Sequence, residues 1–143
     1  MPRVEIKSDM NAKAKTIYDI LMNDDLEAKW NLTVNETQSI GPDKWEVKST
    51  IGDLTSTRVE AKENERITFD IEGSIFNRMG YILKPKGNTT KVVGWGEFED
   101  EKNKKMLESA GGILLESLKR FAEYVEEGGD PEEFNKKALT ITP

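Results

Sequence analysis

Apolar positions along the chain keep two rhythms, an alternation of two and a helical spacing of three and four. Val4 and Ile6 alternate with Glu5, Lys7 and Asp9, which predicts a half-buried opening strand. Ala14, Ile17, Tyr18 and Leu21 then form one face of a helix, with Asn11 as its expected cap. Asn23-Asp24-Asp25 interrupts that helix. Asp24 with Glu27 makes a capping-box pattern for a second, short helix carrying Leu26 and Trp30 one turn apart. From Val34 the alternation of two returns. Gly41-Pro42-Asp43 is a turn, followed by Trp45, Val47, Ser49 and Ile51 on one side of a strand. Gly52-Asp53 reads as a two-residue hairpin loop, and Leu54 to Lys62 returns with Thr55, Thr57 and Val59. Ile67, Phe69 and Ile71 mark the next strand, Met79, Tyr81 and Leu83 the one after. Pro85 to Asn88 turns into a last strand from Thr89 to Phe98.

A different pattern closes the chain. Between Glu101 and Glu127 the positions Leu107, Gly111, Leu114, Leu118, Phe121 and Val125 recur every three or four residues, and Lys, Arg and Glu cover the remaining surface. Gly128-Gly129 supplies the stop. Such a helix is roughly 40 Å long and needs a broad apolar partner, which only the strands provide. The predicted architecture is α+β: seven antiparallel strands with short connections, curled around a long C-terminal helix, and two short helices after strand 1. Residues 1–128 form the predicted domain. Residues 129–143 are an extension, with Asp130-Pro131-Glu132-Glu133 opening a short helix to about Ala138 and a loose tail from Leu139 to Pro143.

Composition narrows the chemistry. The chain has 143 residues, no cysteine and no histidine, and a formal net charge of −6. Disulfides, thiolate nucleophiles, the usual zinc sites and every histidine-based triad are therefore excluded, and the expectation is of no metal and no cofactor. The acidic balance disfavours nucleic acid and anionic membranes. No window approaches 18 apolar residues, and MPRVEIKSD has no apolar signal core, so stable membrane insertion is not expected and a cytoplasmic location is.

Alternation places Val47, Ser49, Ile51, Thr57, Val59, Phe69, Ile71, Met79, Tyr81 and Leu83 on the sheet's inner face. Core packing accounts well for any one of them. Together they face one long and two short helices, too little cover for so wide a sheet, and a ligand cavity of about 300 Å³ or more is expected in the remainder. Gly94 and Gly96 share one face of the last strand with Val92 and Phe98, and are read as lining the interior; the opposite parity would put Val93 and Trp95 inside. Gly111-Gly112 marks either a kink or close contact with the sheet. Trp30, Ile75 and Phe76 form a gate over one mouth or a small cluster under a loop. Arg58 and Glu97 are the possible polar cavity groups, each of which could point to either face of its strand; Asp53 is assigned to turn chemistry and Asp70 to an exposed face. No paired carboxylates stand out, so no catalytic residue is assigned.

VEIKSDMNA, AKTIYDILMND ending near Trp30, the hairpins IGDL and KPKGNTTKV, and the terminal GGILLESLKRFAEYVEEG together resemble the START-like, or SRPBCC, superfamily, closest to its polyketide-cyclase/dehydrase and lipid-transport branch. The resemblance covers roughly residues 3–128. It implies a helix-grip fold with a deep cavity between sheet and last helix holding a lipophilic molecule. The expected function is binding or transport of a hydrophobic small molecule or lipid, its wall including Trp30, Val47, Ile51, Val59, Phe69, Ile71, Met79, Tyr81, Gly96, Phe98, Leu114 and Leu118. Members of the superfamily also include cyclases and chaperone co-activators, so a polyketide cyclase/aromatase-like enzyme and a protein-interaction module stand as alternatives. Fold alone does not choose among them.

Overall fold

The computed structural model describes residues 2–50 and 52–134. Strand β1 (Arg3–Met10) leads into helix α1 (Ala14–Met22), a 3-10 turn (Asp24–Leu26) and the one-turn helix α2 (Glu27–Trp30). Six strands follow: β2 (Val34–Gly41), β3 (Lys44–Ser49), β4 (Gly52–Lys62), β5 (Arg66–Glu72), β6 (Phe76–Lys86) and β7 (Thr89–Phe98). A 3-10 turn (Glu101–Asn103) starts α3 (Lys104–Glu126), and a last 3-10 turn spans Pro131–Glu133. The strands form one antiparallel sheet in the order β1-β7-β6-β5-β4-β3-β2. Hairpins join β2 through β7 in sequence, while β1 closes on the far side of β7, so the two ends of the domain meet.

Two irregularities decide which side chains face inward. In β4 the register shifts between Arg58 and Glu60, whose partners Phe69 and Thr68 are adjacent. Val59 is the extra residue of a bulge and is 48% exposed, contrary to its expected place on the inner face. In β6 a shift between Phe76 and Arg78 lets both Phe76 and Met79 point inward while Arg78 pairs with Asp70 outside, Nε to Oδ1 at 2.8 Å. The β3–β4 turn also differs from expectation. Ser49 pairs with Gly52, so Gly52-Asp53 belongs to the strand. Gly52 has φ of +110°, which its missing Cβ permits. With Val47 opposite Leu54 and Trp45 opposite Ser56, Leu54 and Ser56 face inward and Thr57 outward. Ile51 lies outside the described residues.

α1 is capped from a distance. Lys13 is its N-cap without a side-chain bond, and Asn11 does not cap it. Carboxylates from the last turns of α3 accept the amides instead: Asn11 N donates to Glu123 Oε2 at 2.9 Å and Lys13 N to Glu126 Oε1 at 2.7 Å. Thr16 Oγ1 adds a bond to Glu126 Oε2 at 3.3 Å. α2 begins at Glu27, with Leu26 as an N-cap that makes no side-chain bond; the Asp24 side chain of the expected capping box lies outside the described residues.

The core has two parts. Met10, Ile17, Leu21, Trp30, Leu118 and Phe121 belong to a solid cluster between α1, α3 and the sheet. Val4, Ile71, Phe76, Phe98 and Leu107 make a second cluster towards the other end of α3. The buried stripe of α3 is Leu107, Leu115, Leu118, Phe121 and Ala122 with Ser117; Leu114 is only partly buried. α3 runs unbroken through Gly111-Gly112, and a Cβ on Gly111 would stand 3.1 Å from Ile6 Cγ1, so that glycine marks close contact with β1. Past α3, Asp130 caps its 3-10 turn by accepting from Glu132 N at 2.9 Å. Phe134 packs edge-on against Phe121, centroids 4.9 Å apart. The helix expected to run to Ala138 and the tail after it lie outside the described residues.

Candidate functional site

Between the concave face of the sheet and the N-terminal half of α3 lies a cavity of about 130 Å³. That is smaller than the 300 Å³ expected, and roughly ten times what one water requires. The Phe76 and Trp45 rings and the Met79 thioether are among the side chains that line it. Its floor is β5 to β7: Phe69, Ile71, Met79, Tyr81, Gly94 and Gly96. Val47, Ser49, Leu54 and Ser56 form the wall from β3 and β4, and Leu107, Ala110, Gly111, Leu114 and Leu115 the roof.

The two glycines of β7 lie in the floor, and the parity left undecided by pattern is decided here. A Cβ on Gly94 would meet Leu115 Cδ2 at 3.4 Å, and one on Gly96 would overlap the Phe76 ring. Both point inward. Trp95 turns its ring to the outer face, over Gly80, with the Arg3 guanidinium 4.4 Å from its centroid.

The cavity is graded from end to end. Near Val4, Phe76 and Leu107 it is wholly apolar. At the α2 end it meets Glu27, Asn31, Thr33 and Tyr81. Asn31 is fully buried; its Nδ2 donates to Glu27 Oε1 at 3.4 Å, and its Oδ1 accepts from Thr33 N at 2.9 Å and Thr33 Oγ1 at 2.7 Å. Ser117 ties the same segment to α3, accepting from Leu32 N at 3.4 Å and donating to Ile113 O at 2.8 Å. Burial holds the Tyr81 hydroxyl well above its ordinary pKa, and the nearby Glu27 charge adds to the effect. The phenol is therefore neutral at any physiological pH.

Of the residues assigned to the wall from sequence, Val47, Phe69, Ile71, Met79, Tyr81, Gly96 and Leu114 line the cavity. Trp30 does not gate a mouth. It is 0% exposed in the solid cluster, and its Nε1 has no partner among the described residues. Leu118 and Phe98 are fully buried beside the cavity without lining it. Phe76 is buried wall, and Ile75 packs on its cluster. Neither polar candidate reaches the cavity. Arg58 lies over the Trp45 ring, 4.9 Å from its centroid, with Nη2 2.7 Å from Asp43 Oδ1. Glu97 shares the outer face with its register partners Arg3 and Arg78. The polar end at Glu27, Asn31 and Thr33 was missed because a one-turn helix and its exit loop have no periodicity to read; the i, i+4 spacing of Glu27 and Asn31 was the one available signal.

A second hollow of about 600 Å³ is an open surface cleft between the end of α1 and the β2–β3 turn, lined by Asp19, Met22, Pro42, Asp43 and Trp45. Trp45 also touches the inner cavity. No group of three or more carboxylates is placed to hold a metal ion, and no helix is long and apolar enough to cross a membrane, among the described residues.

The sequence matches no family model and no curated protein sequence. Solved structures do match in three dimensions. The Aha1 dimer from Colwellia psychrerythraea superposes with a TM-score of 0.70 at 20% identity, covering 86% of this chain and 97% of that one. A START superfamily protein from Mycobacterium smegmatis gives a TM-score of 0.67 at 17% identity, covering 87% and 97%. DynU16, a protein of the dynemicin biosynthetic locus, gives 0.67 at 14% identity, covering 90% of this chain and 49% of that one. Likeness at these identities is likeness of fold. The chain has the START-like, or SRPBCC, fold: a seven-stranded antiparallel sheet curled on a long C-terminal helix.

Proposed function

We propose that the chain binds a hydrophobic small molecule or lipid in the cavity between the sheet and α3. The observation that carries this reading is the cavity itself, apolar over most of its wall. Leaving apolar wall uncovered forfeits about 25 cal/mol per Å², so an apolar guest that covers it is favoured. The neighbours of like fold support the reading at the level of architecture, since one of them is a START superfamily protein.

The test is binding of the neutral fluorophore N-phenyl-1-naphthylamine, together with native mass spectrometry of protein purified from its source. The wild type is expected to bind the fluorophore and to carry a lipophilic adduct. Ser56→Phe places a ring in the cavity from β4, and is expected to abolish fluorophore binding while the circular dichroism spectrum is retained. Undiminished binding in folded Ser56→Phe would move the site elsewhere.

A further inference from the structure

The wholly apolar end of the cavity stops at one ring. Phe76 is 9% exposed and lines that end with Val4 and Leu107. Its direction is set by the backbone of β6. Met79 and Tyr81 face the cavity, and strict alternation from them would turn residue 76 to the outer face. The register shift between Phe76 and Arg78 reverses that parity and brings the ring in. Gly96, the register partner of Met79, gives the ring its seat. A Cβ on Gly96 would overlap the phenyl, so the ring rests on β7 backbone where any other residue would hold a side chain. Val4, Ile71, Phe98 and Leu107 belong to the same cluster and pack around it.

We infer that Phe76, seated on Gly96, sets the length of the guest, and that the cavity takes single-chain or fused-ring compounds of the bulk of decan-1-ol or N-phenyl-1-naphthylamine and not two-chain lipids. This rests on the cavity being a ligand site, as proposed above. The cavity of about 130 Å³ has room for about ten waters, and a methylene takes up about as much space as a water, so a chain of about ten carbons fills it. The tail of such a chain ends against the Phe76 ring. Each methylene buried up to that point strengthens binding about fourfold. Further carbons stay outside the enclosed space, bury no more surface and add nothing. A two-chain lipid carries several times the hydrocarbon that the space accepts.

The experiment measures displacement of N-phenyl-1-naphthylamine by hexan-1-ol, octan-1-ol, decan-1-ol, dodecan-1-ol and tetradecan-1-ol. One neutral head throughout leaves chain length as the variable. In the wild type, affinity is expected to climb about fourfold per carbon and to level off at about ten carbons. Phe76→Ala removes the ring and opens the space down to Gly96, so the levelling-off point should move about two to four carbons longer. Gly96→Ala drives the ring into the cavity and should move that point shorter. Affinity that keeps climbing through tetradecan-1-ol in the wild type overturns the inference and leaves the cavity reading standing; this arm needs no variant. A two-chain lipid found as the adduct in the native mass spectrum overturns it as well. A folded Phe76→Ala with the wild-type cut-off removes Phe76 as the length gauge, and a folded Gly96→Ala with that cut-off does the same if Phe76→Ala does not fold. Failure of the fluorophore and all five alcohols to bind sinks the inference together with the cavity reading.

Discussion

Gly96 of β7 and Phe76 of β6 share one small volume, because a Cβ on the glycine would sit inside the phenyl ring. Phe76 is 9% exposed, so the ring has little freedom except to swing into the cavity. Gly96→Ala is thus an overpacking change and should cost about 1–3 kcal/mol in urea denaturation. In a Phe76→Ala background the clash is gone and the added methyl should cost almost nothing. A coupling energy of about 1 kcal/mol or more in the double-mutant cycle is the expected outcome, and strictly additive losses would contradict the geometry. The same residues show what pattern reading reaches. Alternation put Gly96, Phe69, Ile71, Met79 and Tyr81 on the correct face, because those stretches hold their register. It failed at Val59, where a bulge costs the strand one residue of parity, and it did not reach Phe76, read as loop, which opens β6 ahead of a second bulge. A bulge has no composition of its own here, so parity beyond it is unreadable from the chain.

At the scale of elements, α1 and α3 are joined by more than apolar contact. Glu126 is acidic in the last turn of α3, where the helix dipole disfavours it, yet its carboxylate takes the Lys13 amide and the Thr16 hydroxyl at the start of α1, where a negative group is favoured. Glu126→Ala should therefore behave as loss of an N-cap, lowering stability by about 0.5–2 kcal/mol in thermal or urea denaturation. Glu126→Gln, which still accepts, should lose less. A stabilised Glu126→Ala would mean that the unfavourable dipole at α3 outweighs the cap. The cap expected of Asn11 rested on local spacing alone. What overrode it is tertiary: carboxylates 110 or more residues away accept from the Asn11 and Lys13 amides and the Thr16 hydroxyl. Strand and helix order, by contrast, was legible throughout, because each amphipathic period spans several turns or pleats. α3 was clearest, although its buried stripe is rotated to include Leu115 and leave Leu114 half covered.

Across the whole molecule, α3 serves two different halves. Its C-terminal part, from Leu118 to Ala122, closes a solid core with α1 and Trp30. Its N-terminal part, from Leu107 to Leu115, roofs the cavity. Stability and ligand recognition are thereby assigned to adjacent turns of one helix, and neighbouring leucines should report them separately. Leu118 is 0% exposed and surrounded by packed side chains, so Leu118→Ala removes contacts on every side and should cost about 2–5 kcal/mol. Leu114 already faces open space on one side and has fewer partners to lose. Leu114→Ala should accordingly cost less than about 2 kcal/mol. Affinity for the apolar fluorophore should respond in the opposite order. Leu114→Ala widens the roof and should change affinity severalfold, whereas Leu118→Ala, measured well below its lowered melting temperature, should leave it within about twofold. Equal stability losses in the two variants would erase the division between core and cavity. An affinity change confined to Leu118→Ala would place the bound molecule in the α1 half of the fold, beside Trp30.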